Sequence, residues 1–358
     1  MRSSLFLFFL ILGLFSCKTT DNQPGVADKK NILELPGGER VVFLDKQAAG
    51  DLVTQDNAEQ FFERVRPLEM SIQMKRNYLP NTPREQIVED YRAFLREDMT
   101  EFAESEVKIL KNVFQRAHDL IDRINPDIFP KQIRVAKTSA RHYGPSVYYT
   151  REEGIVIPYN ELEPGDENAL LEVMLHEIFH IYSRYHPKER NELYELVGFK
   201  PIGVPVERLK MDSVLSSRIL FNPDGIDFAY QIMLERDGES FPAVPIIVST
   251  EPEYTDRKPA FFGYLQFALY ELRPFRGGMQ LNEIVSNPDG SSRLNLTNHP
   301  EFFGQIKDNT QYIIHPDEIM ADNFKILVLS KANAAMLDRL SEPGKQLIEA
   351  VEDVIDGK

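Results

Sequence analysis

The spacing of apolar positions changes character several times along this chain. Over residues 54–78 they fall at helical intervals, at Phe61, Phe62, Val65, Leu68, Met70 and Ile72. Thr82-Pro83-Arg84-Glu85 then reads as a helix start, with Thr82 as the cap, Pro83 in the first turn and Glu85 reaching back to the cap amide. Helical spacing continues toward Ile124 with a break near Glu97–Thr100, and Asn125-Pro126-Asp127 and Phe129-Pro130 stop it. The period next shortens to that of strands. Ile133–Val135, Ser146–Thr150 and Gly154–Tyr159 are short β-branched and aromatic runs, which predict a small sheet. From Asn168 to Tyr185 the pattern is helical again and apolar almost all round, so this helix should be buried.

Pro and Gly are frequent over residues 200–312. The two Asn-Pro-Asp-Gly segments, Asn222–Gly225 and Asn287–Gly290, predict turns, and Phe261–Leu272 predicts a helix. His315-Pro316-Asp317-Glu318 predicts another helix start, with Pro in the first turn and acids at the positive end of the helix dipole. Helical spacing near 317–340 and 343–355 closes the chain. The expected fold class is α+β, mostly helical, with a small mixed sheet beside the 168–185 helix. A helical region over 37–130 is expected to pack on a catalytic region over 131–358, without a second core.

Composition narrows the functional classes. The chain has 358 residues, 42% hydrophobic and 27% charged, which suits a folded globular protein. One cysteine, Cys17, excludes a disulfide framework and a cysteine-rich metal site. A net charge of −15 repels phosphate backbones and argues against a nucleic-acid partner.

Arg2 precedes an unbroken run of eleven residues, Leu5–Phe15, apolar apart from Gly13. A spanning helix needs ~20 apolar residues, so this run fits a signal-peptide core better than an anchor. Ser16-Cys17 follows, and the chain then turns polar. Leu14 and Ser16 around Cys17 resemble the lipobox of bacterial lipoproteins, with Phe15 bulkier than that pattern usually has. The resemblance implies cleavage before Cys17, a lipid on Cys17, a flexible tether over residues 17–36 and a place on the bacterial cell envelope. Lys18 favours the outer membrane.

Candidate chemistry lies inside the buried helix. His176-Glu177-Ile178-Phe179-His180 is HExxH, expected by chance roughly 0.01 times in a chain of this length. Spacing of four puts both imidazoles on one face, able to meet one zinc ion at ~2.0–2.1 Å. Glu177 falls on an adjacent face, suited to take a proton from water rather than to bind metal. Here the chain resembles the zincin metallopeptidases, and the resemblance implies one zinc ion, Glu177 as the catalytic base and a peptide or protein substrate. In that architecture a strand antiparallel to the substrate precedes the HExxH helix, a place that Gly154–Tyr159 takes here.

Two residues compete to be the third ligand. His186 gives HEIFHIYSRYH the spacing of the metzincin signature, with Ser183 where that family has a glycine. Glu318-Ile-Met-Ala-Asp322 is E-x-x-x-D and resembles the second gluzincin motif, although it stands much farther from HExxH than in thermolysin. That resemblance implies Glu318 as the ligand and Asp322 as the acceptor that orients His176. Glu318 is the favoured of the two. His315, His299, Tyr312 and Arg184 are candidate donors to a developing oxyanion, and nothing local separates them. The expected function is a zinc metallopeptidase of the cell envelope. Its rival is a lipid-anchored zinc-binding or scaffold protein that keeps the fold without turnover.

Overall fold

The computed structural model describes residues 29–162, 167–204, 208–225, 228–274 and 282–357. The expected signal peptide and lipidated Cys17 lie outside these residues. Of the tether expected to reach residue 36, Ile32–Glu34 is instead a strand.

Twelve strands are defined among the described residues: β1 (Ile32–Glu34), β2 (Arg40–Phe43), β3 (Met99–Thr100), β4 (Gln132–Thr138), β5 (Tyr149–Arg151), β6 (Gly154–Pro158), β7 (Phe199–Pro201), β8 (Ile219–Leu220), β9 (Tyr230–Arg236), β10 (Glu239–Ser249), β11 (Leu265–Pro274) and β12 (Asn282–Ile284). The α-helices are α1 (Lys46–Val53), α2 (Phe61–Arg64), α3 (Pro67–Met74), α4 (Arg84–Asp98), α5 (Glu104–Ile121), α6 (Glu167–Tyr185), α7 (Pro187–Leu196), α8 (Ser213–Arg218), α9 (Pro300–Ile306), α10 (Pro316–Ser330) and α11 (Glu342–Ile355). The architecture is mixed α and β with two six-stranded sheets.

The first sheet has the order β1-β2-β4-β6-β5, with β3 also on β4. The β2–β4 and β4–β6 pairs are parallel, and β5 runs antiparallel to β6. Strand alternation splits its side chains between two cores. Ile133, Val135, Ile155 and Ile157 join α5, α6 and α10 on one face. Ala136 and Val156 join α1 and α4 on the other. Because β2 pairs with β4, the sheet crosses the boundary expected at residue 130, and the 37–130 region is not helical throughout. Its helices do break at 99–103, as the pattern implied. Helix α4 starts at Arg84, with Pro83 as an N-cap that makes no side-chain bond, so Thr82 does not cap it.

Two further expectations fail for physical reasons. Phe261–Leu272 is a short 3-10 turn leading into β11, not a helix. Pairing with β10, from Leu265 opposite Ser249 to Glu271 opposite Ala243, supplies the long-range hydrogen bonds that override local spacing. Strand β11 belongs to the second, antiparallel sheet, β12-β11-β10-β9-β7 with β8 on β10, so a second core exists after all. Strand β6 is not a free edge either, since β4 and β5 cover its two sides. All five of its residues are buried, as suits an interior strand. The outer strand is β5, and its Thr150 N–H already donates to Asp224.

Candidate metal centre

Helix α6 is buried over most of its length, and His176 and His180 stand one turn apart on it with ring centroids 4.7 Å apart. Helix α10 packs along it, with Phe179 against Phe324 at 5.5 Å between ring centres. The start of α10 is fixed by Pro316 in its first turn and by the His315 ring, which accepts the Asp317 N–H at 3.1 Å. That first turn aims Glu318 at the two histidines.

His176 Nε2 lies 3.0 Å and His180 Nε2 3.5 Å from Glu318 Oε2. The three residues bring one ligating atom each within 4.8 Å of one another, and each is buried. This set can hold a metal ion. Their remaining atoms are held by neighbours. His176 Nδ1 is 3.1 Å from Asp322 Oδ1, as the E-x-x-x-D motif implied. His180 Nδ1 is 2.7 Å from Asp317 Oδ2, and Asn222 Nδ2 donates to Glu318 Oε1 at 2.6 Å. Carboxylates behind both imidazoles fix each ring so that Nε2 faces Glu318, the outer arrangement that metal-ligating histidines use.

The electrostatics match. Burial alone would lower the His176 pKa, but Asp322 and Glu318 outweigh it and raise it to about 9. Burial likewise opposes protonation of His180, yet Glu318, Asp224 and Asp317 push its pKa up. Burial would raise Glu318, but His180 and His176 hold its carboxyl far below the usual range. Asp317, Glu318, Asp322, Glu177 and Asp224 thus surround two imidazoles. Lys325 pairs with Asp322 at 2.6 Å, and the four buried carboxylates, Asp317, Glu318, Glu177 and Asp224, are costly without a cation, which is the chemistry a divalent ion satisfies.

Glu177 is 4% exposed, and its Oε2 has no hydrogen-bond partner. Burial, then the charge of Asp224, raises its pKa. Glu177 lines a cleft of about 570 Å³ together with His176, His180, Glu318, Tyr148 and Tyr312.

The other sequence candidates separate clearly. His186 stacks on Tyr182 at 4.3 Å, its Nδ1 faces the Tyr182 carbonyl at 2.8 Å, and it lines a different cavity with Tyr185 and Val354. It is not brought to the other two histidines, because α7 begins at Pro187 and carries the chain away. His299 pairs with Glu301, and His315 caps α10. Arg184 is committed to Glu59, the Glu152 carbonyl and Thr150. Only Tyr312 of the four candidate donors lines the cleft, stacked on His176 with planes 19° apart. Burial and then the charges of Glu318, Asp224 and Glu177 raise its hydroxyl pKa.

Sequence reasoning missed Asp317, Asn222 and Asp224 as parts of the site. Asp317 was visible only as an acid in a helix first turn, and the other two only as turn formers. Asp224 Oδ1 accepts from the Thr150 N–H at 2.6 Å and its hydroxyl at 2.5 Å. Compared with known proteins, the chain matches no family model, no curated protein and no solved structure.

Proposed function

We propose that the chain is a zinc-dependent metallopeptidase with a zincin-like catalytic region and a gluzincin-type ligand set. His176, His180 and Glu318 hold the ion, Asp322 and Asp317 orient the histidines, and Glu177 is the general base. One observation carries this reading. Glu318 meets His176 from 142 positions away, while Asp322, one turn on, reaches the far nitrogen of the same ring. An isolated E-x-x-x-D has no reason to make both contacts.

Zinc, when bound, would lower the pKa of water toward ~7 and polarise the scissile carbonyl. Glu177 accepts the proton of the attacking water and returns it to the leaving amine. Its buried Oε2 has no competing donor, and Glu177 lines the cleft. Tyr312 donates its hydroxyl to the oxygen that gains charge as the carbonyl is attacked. Val147, Tyr148, Val173 and Phe262 give the cleft apolar walls for substrate side chains. The reading includes a lipid anchor on Cys17 and work at the cell envelope. Among the described residues no helix is long and apolar enough to cross a membrane.

The test is metal analysis and cleavage of a mixed peptide library, with wild type beside Glu177→Ala. The reading expects about one zinc in both proteins and cleavage by the wild type only. Zinc without cleavage by either protein would favour the scaffold alternative, and absence of zinc would remove the basis of the reading.

A further inference from the structure

A second trio overlaps the first. Glu177, His180 and Asp224 also bring one ligating atom each within 4.8 Å of one another, and all three are buried. His180 Nδ1 is occupied by Asp317, so Nε2 is the atom it offers to either trio. Glu177 Oε2 has no hydrogen-bond partner. Asp224 is anchored through one carboxylate oxygen by both donors of Thr150. The turn that carries Asp224 is itself pinned to the centre. Asn222 holds Glu318, and Gly225 packs so closely on the His315 ring that a side chain would collide with it.

We propose that Glu177, His180 and Asp224 form an alternative metal seat that shares His180 Nε2 with the catalytic seat. A single nitrogen lone pair serves one ion, so the two seats cannot be filled together. An ion in the alternative seat takes Glu177 as a ligand and removes the general base, so this seat is an off position of the centre. The two seats differ in donor chemistry. The catalytic seat offers two imidazoles and one carboxylate, which suits zinc. The alternative offers one imidazole and two carboxylates, a harder set that favours manganese more than the first does. The inference rests on His176, His180 and Glu318 being the catalytic seat.

The experiment is calorimetric titration of the full chain with Zn²⁺ and with Mn²⁺. Wild type, Glu318→Ala, Asp224→Ala and the double variant are compared, with circular dichroism as the check on folding. Wild type should bind one zinc. Glu318→Ala should still bind one ion, with zinc affinity reduced and the manganese-to-zinc preference raised roughly tenfold. Asp224→Ala should abolish that residual binding in the Glu318→Ala background, while the single Asp224→Ala variant still binds one zinc. If Glu318→Ala does not fold, His176→Ala opens the catalytic seat from the other side and carries the same expectations. A folded Glu318→Ala that binds no ion overturns the proposal. So does residual binding that Asp224→Ala leaves unchanged, and both results leave the catalytic seat standing. A wild type that binds no metal overturns the catalytic seat and this proposal together.

Discussion

Asp317 Oδ2 lies 2.7 Å from His180 Nδ1, and the same carboxylate accepts the Tyr194 hydroxyl through its other oxygen at 2.5 Å. His180 therefore reaches the centre with its ring orientation set from behind, by a residue adjacent in sequence to Glu318. Asp317→Asn should fold, because both contacts remain available as hydrogen bonds, but it should lower zinc affinity by about 10–100-fold. Competition with a chelator of known affinity reads this directly. Unchanged affinity would reduce Asp317 to a helix-start residue.

Tyr312 has a different role and a different signature. Its ring stacks on His176 at 6.2 Å between centroids, and it lines the cleft with Glu177 and Glu318. Tyr312→Phe keeps the stack and removes the donor. Turnover should fall by about 10²–10³ while zinc content and KM stay near wild type, the cost of losing one oxyanion donor. A loss carried by KM would instead make Tyr312 a binding residue.

Gly225 tests how far the 222–225 turn supports the centre. A methyl group at this position would collide with the His315 ring. Gly225→Ala should destabilise the fold by about 1–3 kcal/mol, as overpacking does. It should also weaken zinc binding, because the Asn222 contact to Glu318 moves with the turn. Thermal melts with and without chelator separate the two effects. A chelator-independent shift would confine the role of Gly225 to packing.

Stability should depend on pH through a residue outside the centre. Glu69 on α3 is fully buried, accepts the Phe221 N–H at 2.9 Å and takes the Gln73 amide at 3.1 Å. Burial pushes its pKa from 4.5 up to about 8. Across that interval the folded chain keeps a proton that the unfolded chain has released. The stability this contributes is full below about pH 4.5 and is lost as pH rises through about 8. Each unit of separation is worth about 1.4 kcal/mol. Glu69→Gln stays neutral, so its melting temperature should fall less than that of wild type over the window. Parallel profiles would exclude Glu69 as the source.

Local signals made most of this site readable. HExxH on an apolar segment located His176, Glu177 and His180, and E-x-x-x-D after His315-Pro316 located Glu318 and Asp322. Both patterns sit on helices whose period and starts are written in neighbouring residues. Asp224 and Asn222 carry no such signal. They stand in an Asn-Pro-Asp-Gly turn indistinguishable from the one at 287–290, and only tertiary contact gives one of the two a role. The same limit hid the second sheet. Strand β11 is held by pairing with β10, a long-range relation that the helix-like spacing of 261–272 does not express. His186 shows the converse, since its spacing fits a ligand but Tyr182 and the start of α7 hold it elsewhere.

X-ray absorption at the zinc edge, on the full chain loaded with one equivalent, tests the central claim most directly. The ligand set of His176, His180 and Glu318 predicts two imidazoles with the remaining donors oxygen. A shell of three imidazoles, or a chain that takes up no zinc, would contradict it.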